Sequence, residues 1–345
     1  MSWYLEAGPE GDLIVSSRIR LARNLKDYPF GARLTPEQGT ELLERIRGAC
    51  RTSGDDYLDI HLEDLSPQEQ LSLVERRLIS PELLEQPNPV GLLLGRDESI
   101  AIMLGEEDHI RIQSMRAGLD LVPAWEAADT VARTIESRLP IAWNERYGFL
   151  TACPTNVGTG LRASVMMHLP ALTRLGQIEA LTRNLSKLGF TVRGYHGEHS
   201  RTQGCLVQIS NQLTLGISER DLLSDLGQIV EQTLQLERRA REQAFGSDDI
   251  RTADRVQRAI GILGHARLIT SEEALDLLSD LRLGVELGLA PGFSAAQINS
   301  LMIQIEPGTL QKSAGRPLDA PERDCHRADV LREAIAAADR ATPAS

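Results

Sequence analysis

The chain has 345 residues, 41% hydrophobic and 25% charged, which places it among globular proteins and excludes fibrous and disordered classes. That length fits two domains, and no apolar run approaches the ~18 residues of a membrane span. A net charge of −12 argues against any general grip on nucleic-acid backbones.

The opening MSWYLEAGPEGD has neither the basic region nor the apolar stretch of a secretory signal, so a cytoplasmic protein is expected, without membrane or nucleic-acid partners. Cys50, Cys153, Cys205 and Cys325 are scattered and form no CxxC pair; they read as free thiols. The cations are unusual: three lysines stand against 34 arginines.

Strands are predicted at 15–21, 90–95, 99–105, 109–113, 149–153, 163–170, 192–197 and 205–211. Helical spacing marks 36–48, 66–78, 124–139 and 172–189, and Ser218 followed by Asp221 starts a further helix. Beyond 246–249 only helices are expected: Thr270 caps one, Pro291-Gly292 breaks the chain, and Pro321 opens the last. The implied fold class is α+β, a mostly antiparallel sheet flanked by helices over 1–245, followed by an all-α domain over 246–345.

Several chemistries are excluded outright. No lysine follows a glycine, so a P-loop is impossible, and HRD–DFG, HExxH and GxSxG are missing. Gly158–Ala163 matches GxGxxA, but Pro170 cuts short the helix a dinucleotide fold needs.

Four segments carry chemistry. In VSSRIRL, period-2 alternation sets Arg18 and Arg20 on one face against Ile19 and Leu21, and two adjacent guanidiniums repel unless an anion lies between them. The bland alternative is a pair of solvated edge-strand arginines. In EEDHIRIQ, alternation groups Glu107, His109, Arg111 and Gln113 opposite Ile110 and Ile112. Cys153 precedes a glycine-rich loop whose exit carries Arg162, and RGYHGEH joins Arg193 to Glu198 across glycines. A lone cysteine there is as often a buried core thiol.

SSRIRLARN, EEDHIRIQSM, CPTNVGTGLRASVMMHLP, RGYHGEH and ISNQLTLGISERDLL together resemble the catalytic domain of the phosphagen (guanidino) kinases, in order from about Ser16 to Leu236. More narrowly, the chain resembles the bacterial protein arginine kinases, which carry a C-terminal helical domain where phosphagen kinases carry an N-terminal one. The resemblance implies transfer of the ATP γ-phosphoryl group to protein arginine side chains, with Mg²⁺ held through ATP. It implies a phosphate cage of Arg18, Arg20, Arg111, Arg162 and Arg193, and a nucleotide lining of Ser16–Arg20 (Ser16, Ser17, Arg18, Ile19, Arg20), Arg162–Met166 (Arg162, Ala163, Ser164, Val165, Met166) and Arg193–Glu198 (Arg193, Gly194, Tyr195, His196, Gly197, Glu198). Forked guanidiniums grip phosphate oxygens at two points, which lysine cannot do.

By the same resemblance Glu107 is the general base, Glu198 clamps the substrate guanidinium, and Cys153 tunes its charge. Arg323, Asp324, Arg327 and Ala328 resemble an RDxxRA pocket for phosphoarginine. Implied partners are protein substrates, an activator protein and a Clp-type unfoldase, in a homodimer or larger assembly acting in a stress response. Three positions depart from the family pattern: Gly105 in place of Asn, Arg77 in place of a nucleotide-contacting His, and Arg201 in place of an acid. The alternatives are a small-molecule guanidino kinase and a catalytically silent adaptor.

Overall fold

Ile14–Arg23 (β1) lies at the centre of the architecture, flanked on each side by a strand distant in sequence. The remaining strands are Tyr57–Ile60 (β2), Gly91–Gly95 (β3), Ile100–Leu104 (β4), Ile110–Ala117 (β5), Trp143–Asn144 (β6), Gly148–Phe149 (β7), Leu161–His168 (β8), Phe190–Gly194 (β9) and Leu206–Asn211 (β10). Helices are Pro36–Arg51 (α1), Pro67–Glu75 (α2), Pro81–Leu84 (α3), Leu121–Glu136 (α4), Pro170–Arg174 (α5), Ile178–Lys187 (α6) and Glu219–Phe245 (α7). Beyond them come Ile250–His265 (α8), Ser271–Glu286 (α9), Ala295–Gln304 (α10), Pro307–Ala314 (α11) and Ala320–Ala341 (α12). This computed structural model describes residues 3–51, 56–194, 203–245 and 250–341.

Eight strands form one sheet in the order β2-β3-β4-β5-β1-β8-β10-β9, antiparallel at every pairing. Alternation decides what each face does. Ile19, Leu21, Ile112, Leu161, Ala163, Val165 and Ile209 point to one side, into a core with α1, α4 and α7. The opposite face has two apolar zones. Leu92, Leu94, Ala101 and Met103 lie under Leu73 of α2 and Leu83 of α3, whereas Met166 and Leu206 lie under the C-terminal helices. A polar strip runs between these zones, and Arg18, Arg20, Arg111 and Arg162 line a cleft there.

The helical region is fastened to the sheet domain by buried polar contacts. The Arg282 guanidinium, fully buried, donates to the carbonyls of Gly11 and Asp12 at 2.8 Å each and to Glu286 at 2.9 Å. Thr270 caps α9 by accepting from the Glu273 amide, as expected, and Ser294 with Gln297 forms a capping box on α10. Two sequence expectations change, and one strand was not foreseen. Within 149–153 only Phe149 is in a strand, paired with Trp143 away from the main sheet. The predicted helix at 172–189 divides into α5 and α6, and the short edge strand β2 carried too few residues to stand out. Among the described residues no helix is long and apolar enough to cross a membrane.

Candidate active site

Strand register builds the site. Arg20 lies opposite Gln113 of β5 on one side and Arg162 of β8 on the other, and Arg18 lies opposite Ser164. Gln208 of β10 lies opposite Arg193 of β9. Because strands alternate, these side chains share the cleft face. Small polar groups space the guanidiniums: Arg18 donates to Ser164 Oγ (3.3 Å) and Gln208 Oε1 (3.1 Å), and Arg162 donates to Ser210 Oγ (3.4 Å). Together with Arg77 and Arg111 these arginines line a cleft of about 1040 Å³.

Arg18 and Arg20, in the middle of this row, are crowded by like charges and buried. Burial, then the charges of Arg77, Arg162, Arg111 and Arg193, lower the Arg18 pKa to about 9. Burial, then Arg18, pushes Arg20 well below the ordinary arginine value, and Arg20 Nε is a buried donor with no acceptor among the described residues. Crowded, desolvated cations with an unmet donor form a receptor for a polyanion, whose arrival would remove both costs. Arg77 joins them from a left-handed turn (φ +60°) held by its own amide on Val74 O (2.9 Å) and by Gln113 Nε2 on its carbonyl (2.6 Å). Strain of this kind persists where the surroundings over-determine it.

The carboxylates come from a tight turn between β4 and β5. Gly105 has φ +75° and its amide donates to His109 O (3.0 Å); an added Cβ would meet Pro89 O at 2.7 Å. The Gly105 departure therefore fits a turn that demands a left-handed residue. Glu106 is buried and pairs with Arg111 Nη1 and Ser80 Oγ. Glu107 projects into the cleft, 3.5 Å from Arg111 Nη2. Burial, then the neighbouring Asp108, raises its pKa, while a hydrogen bond with Cys153 works the other way. Asp108 accepts from Asn24 Nδ2 (2.6 Å) and the Ala152 amide (2.7 Å), tying the glutamate turn to the cysteine loop.

His109 does not join Glu107 on the cleft wall. Glu107–His109 belong to the turn, β5 begins at Ile110, and the imidazole points inward between the Tyr28 and Phe30 rings. There Nδ1 accepts from the Leu25 amide (3.1 Å), Nε2 donates to Pro29 O (3.0 Å), and burial lowers its pKa. The segments assigned to the nucleotide show both faces of their strands. Ile19, Ala163 and Val165 face the opposite core, Ser17 Oγ is engaged by Gly118 O and the Asp120 amide, and Met166 lies beneath the C-terminal helices. Ser16 is buried as well. Arg18, Arg20, Arg162, Ser164, Arg193 and Gly194 remain at or beside the cleft. Tyr195, His196, Gly197, Glu198 and Arg201 lie outside the described residues.

Cys153 lines the cleft, with Sγ 3.0 Å from Thr155 Oγ1, at the start of a loop that returns at Gly160. Gly158 (φ +118°) lets that loop press on the Thr214 backbone, where an added Cβ would lie 2.2 Å from the carbonyl oxygen.

Two residues of the helical region, Glu306 and Pro307, also line the cleft. Glu75 at the end of α2 holds them in place, accepting from the amides of Gly308 (2.6 Å) and Thr309 (2.8 Å) and from Thr309 Oγ1 (2.9 Å). From below, Arg327 donates to Ile305 O and Ile269 O (2.9 Å each) and to Asp324 Oδ1 (2.6 Å). Arg327 is only 2% exposed, and Ala328 is buried with it. Arg323 and Asp324 are half-exposed, so the two arginines are not twin ligands on one open face. Nothing in the sequence pointed to Glu75 or Glu306, because their contact joins segments more than two hundred residues apart.

The family model "ATP:guanido phosphotransferase, C-terminal catalytic domain" matches residues 42–240, and "Protein-arginine kinase McsB C-terminal domain" matches 249–345. A protein-arginine kinase of Halalkalibacterium halodurans is 45% identical over 333 residues, covering 96% of this chain and 94% of its own. One from Bacillus subtilis is 44% identical over 338 residues, covering 97% and 93%.

The chain belongs to the protein-arginine kinases.

Among solved structures, the duplicated taurocyamine kinase of Schistosoma mansoni with bound transition state analog components superposes with a TM-score of 0.61 at 29% identity, over 73% of this chain and 38% of that one. Lombricine kinase gives 0.60 at 26% identity, over 69% and 70%. The sheet-and-helix catalytic region is thus a guanidino-kinase fold, and the second match places a protein-arginine-kinase helical region after it.

Proposed function

We propose that the arginine-lined cleft holds ATP by its triphosphate while Glu107 and Cys153 meet the arginine side chain of a protein substrate. The observation that carries this is the row of guanidiniums around Arg20, with its unmet buried donor, ending at a carboxylate of raised pKa. Among the described residues no three His, Cys, Asp or Glu side chains converge as a metal site, and the cleft wall is cationic. Such a wall suits a nucleotide that brings Mg²⁺ on its own phosphate oxygens, where the ion supplies further charge neutralisation.

A guanidinium nitrogen of the target arginine attacks the γ-phosphorus as the bond to the bridging oxygen of ADP breaks. The nitrogen's proton passes to the Glu107 carboxylate, and the arginine row holds the charge left on ADP. Arg111 lies between the two jobs: it touches Glu107 and is anchored by Glu106, so phosphates and base are set against one another. Glu198 completes the clamp on the substrate guanidinium.

In the same proposal, residues 1–245 perform catalysis and 246–345 dock and regulate. Phosphoarginine meets the half-exposed Arg323 and Asp324, with buried Arg327 as their support. The enzyme works in the cytoplasm during stress, as a homodimer or larger, with an activator protein and a Clp-type unfoldase downstream. Comparing labelled phosphate transfer from ATP to casein and to free arginine tests the substrate class. Transfer to casein at least tenfold faster is expected; the reverse ratio would make it a small-guanidine kinase.

A further inference from the structure

At the C-terminal end of α2, three consecutive residues reach three different parts of the molecule. Glu75 accepts from the amides of Gly308 (2.6 Å) and Thr309 (2.8 Å) and from Thr309 Oγ1 (2.9 Å) at the start of α11. Arg76 pairs with Glu98 in the turn between β3 and β4. Arg77 turns into the arginine cleft, where its charge is, after burial, the largest influence lowering the Arg18 pKa.

The Arg77 backbone sits at φ +60°, two residues beyond Glu75. Its amide is bonded to Val74 O (2.9 Å), the next amide, of Leu78, to Leu73 O (2.9 Å), and its carbonyl accepts from Gln113 Nε2 (2.6 Å). A left-handed arginine keeps its geometry only while its surroundings hold it. Those surroundings are the sheet, through Gln113, and α11, through Glu75.

The contact between α2 and α11 is close as well as polar. An added Cβ at Gly308 would lie 2.8 Å from both the Ser72 amide nitrogen and Leu71 Cγ, and Ser72 Oγ is 3.4 Å from Thr309 Oγ1. Burial raises the Glu75 pKa, whereas the two amides, the Thr309 hydroxyl and the Arg327 charge of α12 act the other way. A carboxylate at this depth that lost those donors would be driven toward water, and the end of α2 with it.

We propose, resting on the placement of the ATP triphosphate among the cleft arginines, that Glu75 is a positioning residue for nucleotide binding. By gripping the first turn of α11 it holds the Arg77 turn, so the helical region sets where this guanidinium meets the phosphates.

The test is a double-mutant cycle in the full chain, read by steady-state kinetics on casein. Glu75→Gln keeps the side chain's size and should raise the KM for ATP about tenfold with kcat within about twofold, the pattern of binding lost equally in ground and transition states. In the Arg77→Met background the same substitution should change KM by less than about twofold, because residues that act through one another are not additive. Thr309→Val removes one hydroxyl donor and should raise KM about threefold, the share of a single hydrogen bond. Its effect too should vanish in Arg77→Met, and it stands in for Glu75→Gln if that variant does not fold. A KM unchanged in any of these single variants, a fall in kcat alone, or a rise that persists in Arg77→Met would overturn the proposal. Failure of the underlying placement shows separately, since Arg20→Met would then keep its protection by Mg-ATP; if only the Glu75 link fails, that protection is lost.

Discussion

Arg20 and Arg162 stand directly opposite one another on adjacent antiparallel strands, with the buried Arg18 beside them. Facing like charges destabilise a strand pair, and burial enlarges the cost. The lowered pKa values of Arg18 and Arg20 express it: between about 9 and the ordinary arginine value the unfolded chain holds more protons, so stability of the unliganded protein rises with pH there. Arg20→Met should leave the unliganded protein as stable as wild type, or more so, in thermal melts. It should also erase the stabilisation by Mg-ATP, worth about 2.7 kcal/mol at a hundred times Kd in wild type. A variant still protected by ATP would remove Arg20 from the phosphate site.

Arg162 should not tolerate lysine. Its fork reaches Ser210 while facing Arg20, and a point charge on a flexible stem cannot keep both relations. Arg162→Lys is expected to lose at least tenfold in ATP affinity, about 1.4 kcal/mol, by titration calorimetry. A change within twofold would exclude Arg162 from the cage.

As the proposed base, Glu107 should set the acid side of the rate profile. Burial, then Asp108, raises its pKa, so protonation of the base and the fall in rate should come at a higher pH than an ordinary glutamate would give. Glu107→Gln should cost about 10²–10⁴-fold in kcat, leave ATP binding intact and abolish that limb. A limb of unchanged midpoint in the variant would assign the titration to another group.

The two acidic-arginine positions of α12 should separate. Arg327→Ala strands the carbonyls of Ile305 and Ile269 in the core, a loss of about 1–3 kcal/mol for each buried polar group left unmet. Asp324→Asn, at a half-exposed position, should keep the fold yet weaken phosphoarginine binding. Equal stability of the two variants in urea would contradict the buried-pillar role.

Much of the cleft wall was legible because strand alternation is local. The pattern at Arg18–Leu21 predicted which side chains face the cleft, and the register confirms the sidedness. The same rule failed at His109, where the turn fixed by Gly105 delays the strand by one residue beyond it. Within the segments assigned to the nucleotide, the same rule turns the Ile19 and Val165 side chains to the opposite core. Long-range features had no sequence signal: Glu75 on the α11 amides and Gln208 spacing the guanidiniums depend on tertiary placement.

The central claim, phosphoryl transfer to protein arginine, is tested most directly by mass spectrometry of a casein substrate incubated with Mg-ATP, comparing wild type with Glu107→Gln. Phosphate on arginine, labile in acid and stable in alkali, should accumulate with wild type and fall by at least a hundredfold with the variant. Phosphate on serine, threonine or tyrosine alone, or phosphoarginine undiminished in Glu107→Gln, would contradict the account.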